Sequence, residues 1–134
     1  LYEHDPRVRL VRRLEPGLPA LRADAGRIRQ VLHNLVKNAI EACVDRSRAW
    51  IEVATRAIEE DGRRFVELSV ADDGPGLPEG FDLHWFEPYR STKPRGTGLG
   101  LAIVARIAQE HGARFEARRR EEGGALFVLR LPAG

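Results

Sequence analysis

The chain has 134 residues, 43% of them apolar and 31% charged, which is enough for one hydrophobic core and predicts a single domain over residues 1–134. Its 22 basic and 20 acidic residues nearly cancel, so a surface built mainly to bind nucleic acid is not expected. A lone Cys43 excludes an internal disulfide, and the four histidines have no cysteine partners at zinc-site spacing. No run free of polar side chains exceeds about seven residues, far below the ~20 of a membrane-spanning helix.

The first predicted elements are an edge strand and a long amphipathic helix. Residues 7–14 alternate between charged and apolar side chains, and Glu15-Pro16-Gly17 ends that pattern. Asp24 is a suitable N-cap, and no Pro or Gly interrupts residues 27–45. Within this stretch apolar residues recur at the spacing of one buried helix face: Ile28, Val31, Leu32, Leu35, Val36, Ala39, Ile40 and Cys43.

A hairpin and a long loop are predicted next. Trp50–Ile58 and Arg64–Ala71 are rich in Ile, Val and Phe, and the Asp61-Gly62 pair between them is typical of a hairpin turn. Residues 72–97 are rich in Gly and Pro and show no sustained period. A loop of this length inside a compact domain is usually functional or disordered.

The last part of the chain predicts a second helix and a second hairpin. Residues 99–111 form the helix, which ends at Gly112, and residues 114–119 and 126–131 form strands around Gly123-Gly124. The helix is expected to bury one set of side chains, partly by their aliphatic stems: Leu99, Ala102, Ile103, Arg106, Ile107 and Glu110. The element order predicts an α/β fold, a two-layer α/β sandwich with a mixed sheet of about five strands.

Three short segments could carry chemistry. Asn34 and Asn38 lie one turn apart on the polar side of the first helix, where carboxamide oxygens could ligate Mg²⁺ or simply face solvent. Residues 72–76, Asp-Asp-Gly-Pro-Gly, stand at the end of a strand. A carboxylate there could accept a hydrogen bond from an exocyclic amine of a ligand, or the segment could form an ordinary tight turn. Residues 96–100, Gly-Thr-Gly-Leu-Gly, begin the second helix. Their main-chain N–H groups could bind phosphates, or the glycines could simply form a flexible connection to the helix.

The order of these segments is more specific than any one of them. HNLVKNAIEA (33–42), DDGPGL (72–77), FEPYRSTK (86–93) and GTGLGL (96–101) resemble the N, G1, F and G2 boxes of the sensor histidine kinase ATP-binding domain. The third and fourth segments are most similar to the nitrogen-regulation class of these kinases. The resemblance covers nearly the whole chain and implies the Bergerat ATP-binding fold, with its helices on one face of the sheet.

The resemblance also implies roles for individual residues, with ATP and Mg²⁺ as cofactors. Asn38 corresponds to the asparagine that ligates the metal, and Asp72 to the aspartate that accepts a hydrogen bond from the adenine amine. Asn34 is expected in the nucleotide site and in catalysis, as is Lys93, which would reach the terminal phosphates. The other expected nucleotide contacts are Gly74, Gly76, Thr92, Gly96, Thr97, Gly98, Leu99 and Gly100.

Asn34 separates this sequence from hydrolytic relatives. Gyrase and the mismatch-repair ATPases have a glutamate at that position to activate water, whereas a carboxamide cannot accept the proton. We therefore expect phosphoryl transfer rather than efficient hydrolysis. Two positions depart from the kinase pattern: Glu41 replaces a frequent phosphate-contacting lysine, and Tyr89-Arg90 replaces a pair of aromatics at the start of the lid.

The phosphoacceptor is expected on another domain. None of His4, His33, His84 and His111 stands in the family's phosphoacceptor pattern, and the chain has no Met and starts at Leu1. We therefore expect an excised, cytoplasmic catalytic domain whose partners are the kinase's own dimerisation domain and, downstream, a response regulator. No nucleic acid or direct membrane contact is expected, although the parent could be anchored in the inner membrane. The alternatives are an anti-sigma-factor serine kinase and an ATP-sensing module without chemistry.

Overall fold

The computed structural model describes residues 6–43, 48–77 and 100–134. Five strands and two helices occur in these residues, and neither helix has the length and hydropathy needed to cross a bilayer. In chain order they are β1 Val8–Leu14, α1 Ala25–Ala42, β2 Ala49–Glu60, β3 Arg63–Asp72, α2 Gly100–Glu110, β4 Arg114–Arg119 and β5 Ala125–Pro132.

The strands form one mixed sheet in the order β1-β2-β3-β5-β4. β1 pairs with β2 in parallel, and the other three pairs are antiparallel. Val53, Val70 and Phe127 are neighbours across the central strands, and all three share one buried cluster with Leu35 of α1 and Ile107 of α2. Both helices therefore cover the same face of the sheet, as the predicted two-layer sandwich requires.

Helix α1 begins where the sequence predicts and ends earlier. The Asp24 carboxylate accepts hydrogen bonds from the main-chain N–H groups of Gly26 and Arg27, at 2.9 and 3.2 Å, so it satisfies two donors that a helix start leaves open. The helix ends at Ala42, with Cys43 as its C-cap, rather than at residue 45. The early end places Ala42 and Cys43 against the segment that follows β3.

Helix α2 runs in the opposite direction to α1. His111, just beyond its end, accepts a hydrogen bond from the Asp24 N–H through Nε2 at 3.1 Å, and Glu110 lies 3.5 Å from the Arg27 guanidinium. The carboxyl end of α2 is thus joined to the amino end of α1. At 1.5 Å per residue, α2 extends about 15 Å from this junction, which brings Gly100 roughly level with the middle of α1.

The buried side of α2 differs in part from the prediction. Ile107 is buried as expected, but Val104 and Ala108 are its other buried residues, while Ala102 and Ile103 are only partly buried. The helix is almost entirely apolar from residue 101 to 105, so the spacing alone did not fix which side faces the core. Of the two stems expected to be partly covered, that of Arg106 is not, since 80% of its side chain is exposed, whereas the Glu110 side chain is 38% exposed. Leu99 lies outside the described residues.

The face of the sheet away from the helices carries a buried carboxylate. Glu67 of β3 is only 5% exposed and accepts hydrogen bonds from Arg56 of β2 at 2.8 Å and from Arg130 of β5 at 3.2 Å. Arg130 also donates to Glu60 at 2.7 Å. Burial by itself would raise the pKa of Glu67, but the two guanidinium groups outweigh it and hold the pKa below its ordinary value.

Replacing Glu67 by Gln should destabilise the fold by about 2–3 kcal/mol, because it removes the buried carboxylate that pairs with both Arg56 and Arg130 and leaves Arg130 with Glu60 alone. The contribution of Glu67 is present above the ordinary pKa of a carboxyl group and is lost as the pH falls through its lowered value. Urea unfolding of both proteins should therefore show a difference that shrinks in acid. Glu116→Gln is the control on the same face: its ion pairs are 3.8 Å long and exposed, so its loss should cost less than about 1 kcal/mol.

Candidate functional site

Asp72 ends β3 with its side chain on the helix side of the sheet. Its position continues the alternation of the core residues Leu68 and Val70, and the residue is 1% exposed. Its Oδ1 accepts hydrogen bonds from the main-chain N–H groups of Gly74 at 2.9 Å and Ala125 at 3.4 Å. Within the described residues no hydrogen bond reaches Oδ2. One oxygen is therefore committed to holding the side chain, and the other can accept a bond from a ligand.

The electrostatic state of Asp72 reflects this enclosure. Burial raises the pKa of its carboxyl above the ordinary value, and the hydrogen bonds from Gly74 and Ala125 offset only part of that rise. The neighbouring Asp73 raises the pKa further, while Arg120 lowers it. Burying an ionised carboxylate at this position lowers the free energy of unfolding. The stability of the fold by itself therefore does not explain an aspartate at position 72.

The segment after Asp72 lies between α1 and the β4–β5 turn. A Cβ on Gly74 would stand 3.2 Å from both the Ala42 carbonyl oxygen and the Cys43 Sγ, so only glycine packs against the end of α1 without displacing it. Gly76 has a φ of +88° and lies beside the Gly124 carbonyl. The glycines of the DDGPG segment thus have a packing reason that is independent of any ligand.

Asn34 and Asn38 are both partly buried on α1. The Nδ2 of Asn34 is buried and has no hydrogen-bond partner among the described residues, which is unusual because a buried amide donor is costly to leave unpaired. Neither residue is fully exposed, so part of each side chain is turned away from solvent. An orphaned donor one turn before Asn38 fits a ligand that brings its own acceptor atoms.

The start of α2 is the described part of the predicted phosphate site. Gly100 lies about 15 Å along α2 from the junction with the amino end of α1, and the turn of α1 that contains Asn34 and Asn38 lies about the same distance from that junction along α1. A helix start offers free N–H groups to an anion. The other predicted contacts of the lid and its end lie outside the described residues: Thr92, Lys93, Gly96, Thr97, Gly98 and Leu99.

Sequence reasoning missed the contribution of the β4–β5 turn to the site. Ala125 holds Asp72 through its main-chain N–H, a donor that every residue except proline carries and that no motif reveals. Gly124 lies so close to Asp72 that an added Cβ would overlap the Asp72 carbonyl oxygen. The Gly-Gly pair at 123–124 was the available signal, but it also suits any hairpin turn.

Comparison with known proteins gives a family match over residues 23–134, to the family described as histidine kinase-, DNA gyrase B- and HSP90-like ATPases. The sensor histidine kinase ZraS of Klebsiella oxytoca is 42% identical over 88% of this chain and 24% of its own length. The sensory histidine kinase/phosphatase NtrB of Rhizobium leguminosarum bv. phaseoli is 38% identical over 94% of this chain and 35% of its own. The chain therefore spans about a quarter to a third of these relatives.

Among solved structures, full-length ShkA in complex with AMPPNP matches with a TM-score of 0.77 and 32% sequence identity. The match covers 94% of this chain and 26% of ShkA.

Proposed function

Because the chain belongs to the histidine kinase-, DNA gyrase B- and HSP90-like ATPase family, we propose that it binds Mg-ATP and transfers the γ-phosphate to a histidine on a dimerisation domain outside residues 1–134. The observation that supports this most is the state of Asp72: a nearly fully buried carboxylate with one oxygen held by two N–H groups and the other available. Such a group is suited to accept a hydrogen bond from the exocyclic amine of adenine.

The proposed metal contact is a single asparagine. The described residues contain no cluster of three or more His, Cys, Asp or Glu side chains that could hold a metal by themselves. Mg²⁺ binds few protein ligands when it keeps its waters and takes phosphate oxygens, so the carboxamide oxygen of Asn38 fits the role. When bound, the ion would neutralise charge on the phosphates. The orphaned Asn34 Nδ2 would donate to an acceptor of the same ligand.

The phosphate end of the site is assigned to the start of α2 and to the lid. We propose that Gly96, Gly98 and Gly100 leave main-chain N–H groups open to the phosphates, with Thr92, Thr97 and Leu99 as further contacts. Lys93 would supply a positive charge to the terminal phosphate. In-line transfer of this kind depends mainly on positioning and electrostatics, which is what these groups provide.

Asn34 sets the choice between transfer and hydrolysis in this proposal. A carboxamide cannot take a proton from water, so the chain lacks a general base at that point of α1. The acceptor histidine would supply the nucleophile. The named relatives are sensor histidine kinases, which favours this function over an anti-sigma-factor serine kinase or a module that only senses ATP.

Incubating the chain with radiolabelled ATP and a separately made dimerisation domain tests the proposal. We expect label on the dimerisation domain that acid removes and alkali does not, as a phosphorus–nitrogen bond requires. The same domain with its acceptor histidine replaced should remain unlabelled, and the chain alone should turn over little ATP. Nucleotide binding without any transfer would contradict the kinase function, and a base-labile label would indicate a serine acceptor instead.

A further inference from the structure

The guanidinium of Arg120 lies against the main chain of Asp72, the residue proposed to bind the adenine amine. Arg120 follows β4, and its Nη1 donates to the Asp72 carbonyl oxygen at 3.0 Å and to the Gly123 carbonyl oxygen at 2.7 Å. Its guanidinium carbon stands 4.6 Å from the centre of the Trp50 ring, and its side chain is only 16% exposed. The arginine therefore joins β2, the end of β3 and the β4–β5 turn.

Asp73 holds the same strand end to β2. Its Oδ1 accepts a hydrogen bond from the Trp50 N–H at 3.0 Å, and its own N–H donates to the Trp50 carbonyl oxygen at 3.3 Å. These bonds attach the residue after Asp72 to β2, whereas Arg120 attaches Asp72 itself to the turn. The Asp72 backbone is thus fixed from two neighbouring strands.

We propose that Arg120 is a positioning residue, which fixes the Asp72 backbone and the adjoining turn so that the Asp72 carboxylate points at the adenine amine. The inference rests on the proposed ATP binding and adds a residue that does not itself touch the nucleotide. Ala125, whose N–H holds Asp72 Oδ1, follows directly after the turn that Arg120 ties down. Loss of the arginine releases both attachments at once.

Arginine suits this place better than another cation. Its flat guanidinium stacks on an indole ring and still directs in-plane N–H groups at carbonyl oxygens. Its ion pair with Glu122 is peripheral, at 3.3 Å with Glu122 73% exposed, and contributes little. The carbonyl contacts and the stacking on Trp50 are therefore what the proposal depends on.

The test compares two nucleotides by calorimetry: ATP and purine riboside triphosphate, which lacks the exocyclic amine. The unmodified chain should bind ATP roughly ten-fold more tightly, because only ATP donates to Asp72. Arg120→Met keeps an unbranched side chain over Trp50 and removes the donors. It should reduce the preference for ATP to roughly two-fold and leave the affinity for the analogue nearly unchanged.

Arg119→Met is the matched control, since it removes the same charge at the adjacent, exposed position. It should keep the full preference for ATP. If Arg120→Met does not fold, Arg120→Lys replaces it in the test. Lysine keeps the positive charge but lacks the planar guanidinium with its several N–H donors, so the preference of this variant for ATP should also fall.

The positioning role is wrong if an Arg120 variant prefers ATP over the analogue as strongly as the unmodified chain does. It is also wrong if the variant loses affinity for both nucleotides equally, because that is the effect expected of a residue that only supports the fold. If the unmodified chain binds the two nucleotides equally, the proposed adenine contact itself fails, and the role of Arg120 with it.

Discussion

Asp72→Asn should weaken ATP binding while leaving the protein no less stable at neutral pH. The asparagine Oδ1 can still accept from Gly74 and Ala125, but an NH₂ group replaces the oxygen that faces the ligand. Two donors then oppose each other, and the loss should be about 1 to 3 kcal/mol of binding free energy, or roughly ten-fold or more in affinity. Calorimetry with ATP and thermal unfolding of the same samples measure both effects.

The stability part of this prediction has a definite pH dependence. Burial raises the pKa of Asp72 in the folded state, so the protonated form is favoured there, and stability is lost as the pH rises through that raised value. Asp72→Asn should therefore have its greatest relative stability at neutral pH, and its advantage should vanish below the ordinary pKa of an aspartate.

The adjacent Asp73→Asn is the control, because its oxygen can still accept from Trp50 and it should bind ATP nearly as well as the unmodified chain. Equal binding by Asp72→Asn and the unmodified chain would show that the adenine contact is misassigned.

Gly124→Ala should be far more damaging than Gly123→Ala, although both glycines have positive φ, at +93° and +100°. A Cβ at position 124 would overlap the Asp72 carbonyl oxygen and stand 2.9 Å from the Asp73 Cα, whereas at position 123 it meets nothing within 4 Å. Both variants carry about 1 kcal/mol or more of backbone strain. Gly124→Ala should lose a further ~1–3 kcal/mol, because backbone must move to admit the methyl group.

The two glycine variants also separate stability from binding. In Gly124→Ala the shifted turn displaces the Ala125 N–H from Asp72, so ATP affinity should fall in whatever fraction remains folded. Gly123→Ala should bind ATP close to normally. Urea unfolding and calorimetry together give the comparison, and an equal stability loss in the two variants would contradict the close contact between the turn and Asp72.

Sequence patterns were sufficient for most of the fold because local rules decide most of it. The spacing of apolar residues and the Asp24 cap predict α1, and the Asp61-Gly62 pair predicts the turn between β2 and β3, where both residues adopt positive φ. The exposed side of α2 was less predictable because its first turns are apolar all round.

The site was predictable only where its residues fall into motifs. Asp72 and Asn38 stand in recognisable segments, and so does Gly74, but two further contacts that hold Asp72 come from residues about fifty positions away in the sequence, Arg120 and Ala125. No local pattern distinguishes Arg120 from the two arginines before it. Long-range main-chain contacts of this kind become visible only when the strands are paired.

Titration of the unmodified chain with Mg-ATP and, separately, with Mg-GTP tests adenine recognition by Asp72 most directly. Guanine presents a carbonyl oxygen where adenine presents its amine, and that acceptor would face the Asp72 carboxylate without a proton between them. We expect one ATP per chain, with GTP weaker by roughly ten-fold or more. Equal affinity for the two nucleotides, or no binding of ATP, would contradict the proposed site.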